Sequence, residues 1–247
     1  MTIHAEPAEE KPSGLAGAAG TNQGLLGPIT ETWAFDIFVR AVYVIWFLFV
    51  GIKASQGLGS DLARHGSIPD AQFIATVLAR VAVILFIGTL IAFVIVRRRP
   101  VRKSQGLWPR SVAFLGTFIV ISLPLFPANE MSLAGLVASV TLVFVGNGLS
   151  VYAAFGLGRS ISIMPEARRL VTSGPYAIVR HPLYAAEEIA VFGSYLIYAS
   201  PWTTALLILH GYLQIRRMGY EEAVLGQAFP DYKEYARRTA RLIPGLY

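Results

Sequence analysis

The residues with the most chemical potential lie between Leu170 and Tyr184, in the run Leu-Val-Thr-Ser-Gly-Pro-Tyr-Ala-Ile-Val-Arg-His-Pro-Leu-Tyr. Gly174-Pro175 makes a turn, because proline fixes its φ and glycine accepts backbone shapes other residues avoid. Pro182 suits the first turn of a helix, where its missing N–H is no loss. Arg180 and His181 would then project at that helix N-terminus, where free amide N–H groups favour an anion such as a carboxylate. Arg180 adds a planar guanidinium suited to bidentate contact. Tyr176 and Tyr184 offer flat apolar surface with a hydroxyl handle. The combination suits a ligand that carries both a carboxylate and an aromatic ring.

Two further blocks follow. Arg216 to Leu225 contains the adjacent carboxylates Glu221 and Glu222, and the tail carries Phe229, Tyr232, Tyr235, Arg241, Ile243, Pro244 and Gly245. Each feature also has a plain structural reading. His181 before a proline is a common helix cap. Arg180 could bind lipid phosphate at an interface. Glu187 and Glu188, and separately Glu221 and Glu222, could be acidic partners of helix dipoles. Arg237, Arg238 and Arg241 could form a basic patch facing lipid.

The elements that must position these residues are set by apolarity. Of 247 residues, 54% are hydrophobic and only 15% charged, with a mean hydropathy of +0.54. So few charges do not solvate a globule of this size, and a bilayer is the apolar solvent that remains. Spanning hydrocarbon takes about 20 mostly apolar residues. Trp33–Ile52, Ala71–Val96, Ser111–Phe126 and Met131–Phe155 are predicted as spans, and Leu183–Tyr198 with Trp202–Gln214 as a hairpin linked at Ser200-Pro201. Asp36 and Arg40 can pair one turn apart. Arg80 is expected to face protein or the interface. Gly146-Asn147-Gly148 permits close helix approach. Glu221 to about Arg238 is expected to be a surface helix with a break at Pro230.

Basic residues orient this layout. Arg97, Arg98, Arg99, Arg102, Lys103 and Arg110 crowd the loop between the second and third spans without an acid, so that loop is expected to be cytoplasmic. The polar stretch Gly158–Pro182 then falls on the same side, with Arg159, Arg168, Arg169 and Arg180 against Glu166. Both termini follow as cytoplasmic, and the expected setting is a bacterial inner membrane. Met1 to Gly27, acidic and then rich in Gly and Ala, reads as a mobile tail rather than a signal peptide. With no cysteine there is no disulfide, thiolate metal site or cysteine nucleophile. No Gly-rich nucleotide motif, metal-ligand cluster or nucleic-acid partner is expected. The fold class is all-α, a polytopic helical bundle of about six spans: tail 1–27, a four-span region 28–157, and a cytoplasmic ligand-binding region 158–247 with a helical hairpin and a C-terminal amphipathic helix.

Taken together, Gly-Pro-Tyr-x-x-Val-Arg-His-Pro-x-Tyr, Glu-Glu-x-x-Leu, Phe-x-x-Tyr-x-x-Tyr and Arg-x-Ile-Pro-Gly resemble the isoprenylcysteine carboxyl methyltransferases, and the related phospholipid methyltransferases share much of the pattern. The resemblance implies a membrane methyltransferase that binds S-adenosylmethionine in a cytoplasmic pocket and takes a lipophilic or lipid-attached acceptor through an opening toward the bilayer. It assigns Tyr176, Val179, Arg180, His181, Pro182, Tyr184, Glu187 and Glu221 to the cofactor pocket, Glu222 and Arg241 to the reacting end, and Tyr232 and Tyr235 to a lid. Ala185-Ala186 departs from a larger-then-glycine pair expected of relatives. The alternatives are a phospholipid N-methyltransferase and a non-catalytic membrane module that keeps the fold.

Overall fold

The computed structural model of the chain describes residues 33–64 and 70–245. The tail expected over 1–27 lies outside them. Helix α1 (Trp33–Arg64) is 32 residues long, a dozen longer at its C-terminal end than the apolar run predicts. Its extension is anchored by Asp61, which pairs with Arg80 of α2 (Ala71–Val96) at 2.5 Å. The costly arginine is thus satisfied by protein. Gly57 makes room for it: a Cβ there would lie 2.2 Å from Arg80 Nη1. At the other end, Asp36 accepts from Arg40 at 2.7 Å and from Arg97 at 2.8 Å, so one carboxylate ties the start of α1 to the residue after α2. Helix α2 keeps its predicted bounds, capped by Asp70, whose side chain accepts from Phe73 N–H.

Helix α3 (Leu107–Phe118) starts four residues before the expected span and tightens into a 3₁₀ segment, Ile119–Leu125, that contains Pro124. Helix α4 (Leu133–Leu157) is capped by Ser132. Helices α5 (Pro182–Ile197) and α6 (Pro201–Ala228) form the expected hairpin, and Ser200 and Thr203 cap α6 reciprocally. Among the described residues, four helical segments are long and apolar enough to cross a membrane: Asp36–Ala63, Ala71–Val96, Leu107–Leu125 and Leu133–Ser160. The hairpin helices do not meet that standard. Helix α5 has only 16 residues, and α6 turns polar after Gln214.

The predicted surface helix from Glu221 is corrected. Helix α6 runs unbroken for 28 residues, so Glu221 and Glu222 sit in its C-terminal half rather than opening a new element. The chain breaks around Pro230 as expected, before the short α7 (Tyr232–Arg238). A second addition is a small antiparallel ladder: β1 (Arg102–Lys103) pairs with β2 (Glu166–Ala167), Arg102 opposite Ala167 and Lys103 opposite Glu166. Backbone bonds from Arg98 N–H to Arg159 O and from Ser104 N–H to Pro165 O extend it. The two basic loops are therefore joined to one another.

Helices α4 and α5 approach closely through small residues. A Cβ at Gly146 would lie 2.4 Å from Ala190 N, and one at Gly193 would lie 2.8 Å from Ser139 O. Ser139 Oγ donates to Gly193 O at 2.7 Å, and Asn147 satisfies its amide on Val143 O at 2.8 Å. This contact holds the C-terminal half of α5, at Ala190 and Gly193, against α4. Gly146→Ala is expected to overpack it and remove about 1–3 kcal/mol, lowering the thermal midpoint of detergent-purified protein. Gly148→Ala, with nothing within 4 Å of its Cβ, is expected to leave the midpoint unchanged or raise it slightly, since alanine favours the helix. Equal midpoints for the two variants would refute the close packing.

Candidate functional site

Three stretches far apart in sequence meet at the N-terminus of α5. The strand-like segment Val179–His181 runs alongside Ala240–Arg241: Arg180 N–H donates to Ala240 O at 2.8 Å and His181 N–H to Arg241 O at 3.1 Å. From the other side, the C-terminal half of α6 presents Glu221 and Glu222. Helix α7 closes the top, where Tyr235 OH donates to Tyr176 O at 2.6 Å and Arg180 Nη1 donates to Ala236 O at 2.9 Å.

Glu222 is the hub. Its two oxygens accept from Arg241 Nε at 2.9 Å and Nη2 at 2.6 Å. His181 Nε2 lies 3.1 Å from Oε1, and Arg180 Nε lies 3.2 Å from the same oxygen. Burial opposes its charge, but hydrogen bonds from His181 and Arg241 and the charges of His181 and Arg180 outweigh that and hold the carboxyl down to about 2. His181 opens α5 without capping it; its ring goes to Glu222 instead. That ring stacks on Tyr184 at 5.4 Å between centroids. Tyr184 OH donates to Glu221 Oε1 at 2.8 Å, and the Arg217 guanidinium lies 4.6 Å from the Tyr184 ring centre.

Beside this cluster is a cleft of about 730 Å³, open mouth included. Tyr176, Arg180, His181, Tyr184 and Glu221 line it, as do the two lid tyrosines, Tyr232 and Tyr235. The other assigned residues are placed elsewhere. Val179 is buried in the bridge to Ala240, and Pro182 starts α5 without reaching the cleft. Glu187 faces the α5–α6 contact, among Arg217, Glu188 and His210. Glu222 and Arg241 stand behind Arg180 and His181 rather than on the cleft wall.

Sequence reasoning missed several wall residues. Ser160, Ser162, Glu166, Arg168 and Arg169 all line the cleft. The arginines were read only as loop charges. Their signal was adjacency to the Gly-Pro-Tyr turn. Arg168 is 5% exposed and donates to Glu166 at 2.5 Å, while its Nε and Nη1 have no partner. The hydroxyls of Tyr176 and Tyr232 are also buried without a partner. Burial, then the nearby charges of Glu221 and Glu187, keep the Tyr176 phenol protonated far above its ordinary range. Burial likewise pushes Tyr235 up to about 12, against the opposing charge of Arg180. Buried donors without acceptors are uncommon in folded proteins. Arg168 Nε and Nη1, Tyr176 OH and Tyr232 OH lie on residues lining this cleft, where a polar, aromatic ligand would satisfy them, while others such as Tyr43 OH, Trp46 Nε1 and Ser150 Oγ lie elsewhere in the bundle.

Among the described residues, no group of three or more His, Cys, Asp or Glu could hold a metal ion. The family model for phospholipid methyltransferase matches residues 134–232, from α4 into α7. The cobalt-zinc-cadmium resistance protein CzcN of Cupriavidus metallidurans is 41% identical over 78 residues, covering 31% of this chain and 36% of that protein. The nickel-cobalt-cadmium resistance protein NccN of Alcaligenes xylosoxydans is 34% identical over 82 residues, 33% of this chain and 38% of that protein. Protein-S-isoprenylcysteine O-methyltransferase B of Arabidopsis thaliana is 32% identical over 112 residues, 42% of this chain and 57% of that enzyme. The chain thus spans between about a third and three fifths of the length of these relatives. The resemblance of the C-terminal region to the isoprenylcysteine carboxyl methyltransferase and phospholipid methyltransferase superfamily, read from four short motifs, is borne out.

Proposed function

We propose that the chain is an integral membrane methyltransferase that uses S-adenosylmethionine, with the cleft at the α5 N-terminus as its cofactor site. The observation that carries this reading is the set of unpartnered buried donors, Tyr176 OH, Tyr232 OH and Arg168 Nε and Nη1, in and around a cleft also lined by His181, Tyr184 and Glu221. Those groups fit the cofactor's mixed character: donors for its carboxylate and hydroxyls, a carboxylate for its cationic end, and rings for its base. When bound, it supplies a methyl group on a sulfonium, displaced in line by an acceptor atom while the carbon–sulfur electron pair returns to sulfur.

The protein's part is then to hold both reactants in line and exclude water. Glu222 fixes Arg241, and through Arg180 and His181 it stiffens the cleft wall. In this reading Arg241, held by Glu222 behind the cleft wall, would orient an anionic acceptor that reaches past Arg180 and His181. A carboxyl held down to about 2 is a poor base, so Glu222 is unsuited to removing a proton from an ammonium. That favours a carboxylate acceptor on a lipophilic or lipid-attached molecule, methylated on oxygen. The loops that carry the site face the cytoplasm in this reading, as do both termini, and the α5–α6 hairpin completes six spans.

Binding of S-adenosylhomocysteine to the detergent-purified chain, measured by calorimetry, tests the site. Saturable binding is expected, lost in Arg180→Ala and weakened roughly threefold to tenfold in Tyr176→Phe and Tyr232→Phe, which keep the rings and remove one neutral hydrogen bond each. No binding by folded protein would leave the non-catalytic module as the better reading. Methylation of an amine headgroup, with no transfer to carboxylate acceptors, would favour the phospholipid N-methyltransferase.

The state of Glu222 gives a separate check. A lowered value in the folded chain means the unfolded chain takes up the proton first as pH falls. The stabilisation is therefore complete above about 4.5 and is lost as pH drops toward about 2. The difference in thermal midpoint between the natural chain and Glu222→Gln is expected to shrink across that window. A constant difference would mean that the ionised carboxylate is not what holds Arg241 and His181.

A further inference from the structure

A second cleft lies away from the first, where α1 begins and α2 ends. It shares no lining residue with the cofactor site. Six basic side chains converge on it: Arg40, Arg97, Arg98, Arg99, Lys103 and Arg159. Among its lining residues the lone carboxylate is Asp36, and both of its oxygens are taken, by Arg40 at 2.7 Å and Arg97 at 2.8 Å. Arg98, Arg99 and Arg159 make no ion pair with that carboxylate.

Three of these guanidiniums, on Arg40, Arg97 and Arg159, are fixed by hydrogen bonds. Arg40 Nη1 donates to Ile95 O at 3.0 Å and Arg159 Nε to Val96 O at 2.8 Å, so both cap the last carbonyls of α2. Arg97 is 4% exposed, lines the cleft and keeps a buried Nε without a partner. Arg98 and Arg99 are exposed and make no ion pair among the described residues. Orientation by loop charge requires only that basic residues occupy the loop. It does not require six of them to converge on one cleft, three of them held there by hydrogen bonds.

The cleft also has an apolar side. Ile37 and Ile95 line it and are more than half exposed. Asp36 and Val96 are terminal residues of two candidate spans, so the cleft sits at the membrane surface, with its apolar wall at the hydrocarbon edge. A soluble phosphate has no use for that wall, whereas a phosphodiester with acyl chains uses both halves.

We propose that this cleft binds the headgroup of an anionic phospholipid, its phosphate among Arg97, Arg98 and Arg99 and its chains along Ile37 and Ile95. The assignment is independent of the methyl-transfer reading.

The test is lipid titration of the full chain, followed by native mass spectrometry in a mild detergent. The ligands are phosphatidylglycerol and phosphatidylcholine with identical acyl chains. Saturable binding of phosphatidylglycerol is expected, roughly tenfold or more tighter than phosphatidylcholine and weakened by a similar factor in Arg98→Gln/Arg99→Gln. Those side chains make no fold-holding ion pair among the described residues. Arg237→Gln/Arg238→Gln, remote from the cleft, is expected to leave binding unchanged. Equal affinity for both lipids, or equal loss in the two double variants, would overturn the proposal. Displacement of the lipid by millimolar inorganic phosphate at constant ionic strength would overturn the lipid source and leave a soluble-anion site.

Discussion

Glu222 is the interaction on which the C-terminal region depends. It lies on α6, yet every cation it binds comes from elsewhere in the chain: Arg180 and His181 from the approach to α5, and Arg241 from the segment after α7. Its side chain is about one-sixth exposed, so the pairing works in a medium where a lone carboxylate would be costly. Removing Glu222 would take away the carboxylate that Arg180, His181 and Arg241 share. The cluster therefore fixes the register of three stretches at once, and the cleft is a by-product of that register. Tyr176 and the two tyrosines of α7 fall into place because the backbone at Val179 and Ala240 is already paired.

The membrane region answers a different demand. Lipid offers no hydrophobic drive between helices, so α4 and α5 are held by close approach at Gly146 and Gly193 and by the Ser139 hydroxyl. Charges within the spans are matched locally, Asp61 by Arg80 and Asp36 by Arg40 and Arg97. Asp36 and Asp61 sit near the ends of α1, where the penalty for burial is smaller than at mid-bilayer depth, and Arg80, the tenth residue of α2, reaches out to Asp61. The β1–β2 ladder then clips the loop after α2 to the loop after α4, which brings Glu166 and Arg168 to the site.

How legible this was depended on how local each signal is. Apolar run length located α2 to the residue and α4 to within two, because hydropathy over about 20 residues is a local property. It misplaced the end of α1, where the ion pair to Arg80 carries the helix past the apolar run. It also split α6 in two, because a fall in hydropathy at Arg216 was read as a boundary. A helix continues through polar residues when nothing stops it, and neither Gly219 nor Gly226 did. The two-residue ladder was invisible because its paired residues lie 65 and 63 positions apart. In the site, motif spacing found Tyr176, Arg180, His181, Tyr184 and Glu221. It could not say which way Val179, Pro182 and Glu187 point, nor that Arg168 turns inward, since those directions are set by partners outside the motif.

The backbone pairing of Val179–His181 with Ala240–Arg241 has a consequence for synthesis. Chains emerge from the ribosome in order, so α1 to α4 are available to the membrane well before residue 241 exists. Until then His181 and Arg180 lack their backbone partners, and Glu222 lacks its bidentate cation. The cleft is therefore the last part of this chain to be assembled. A polypeptide stopped short of Arg241 would insert its helices while lacking a finished ligand site.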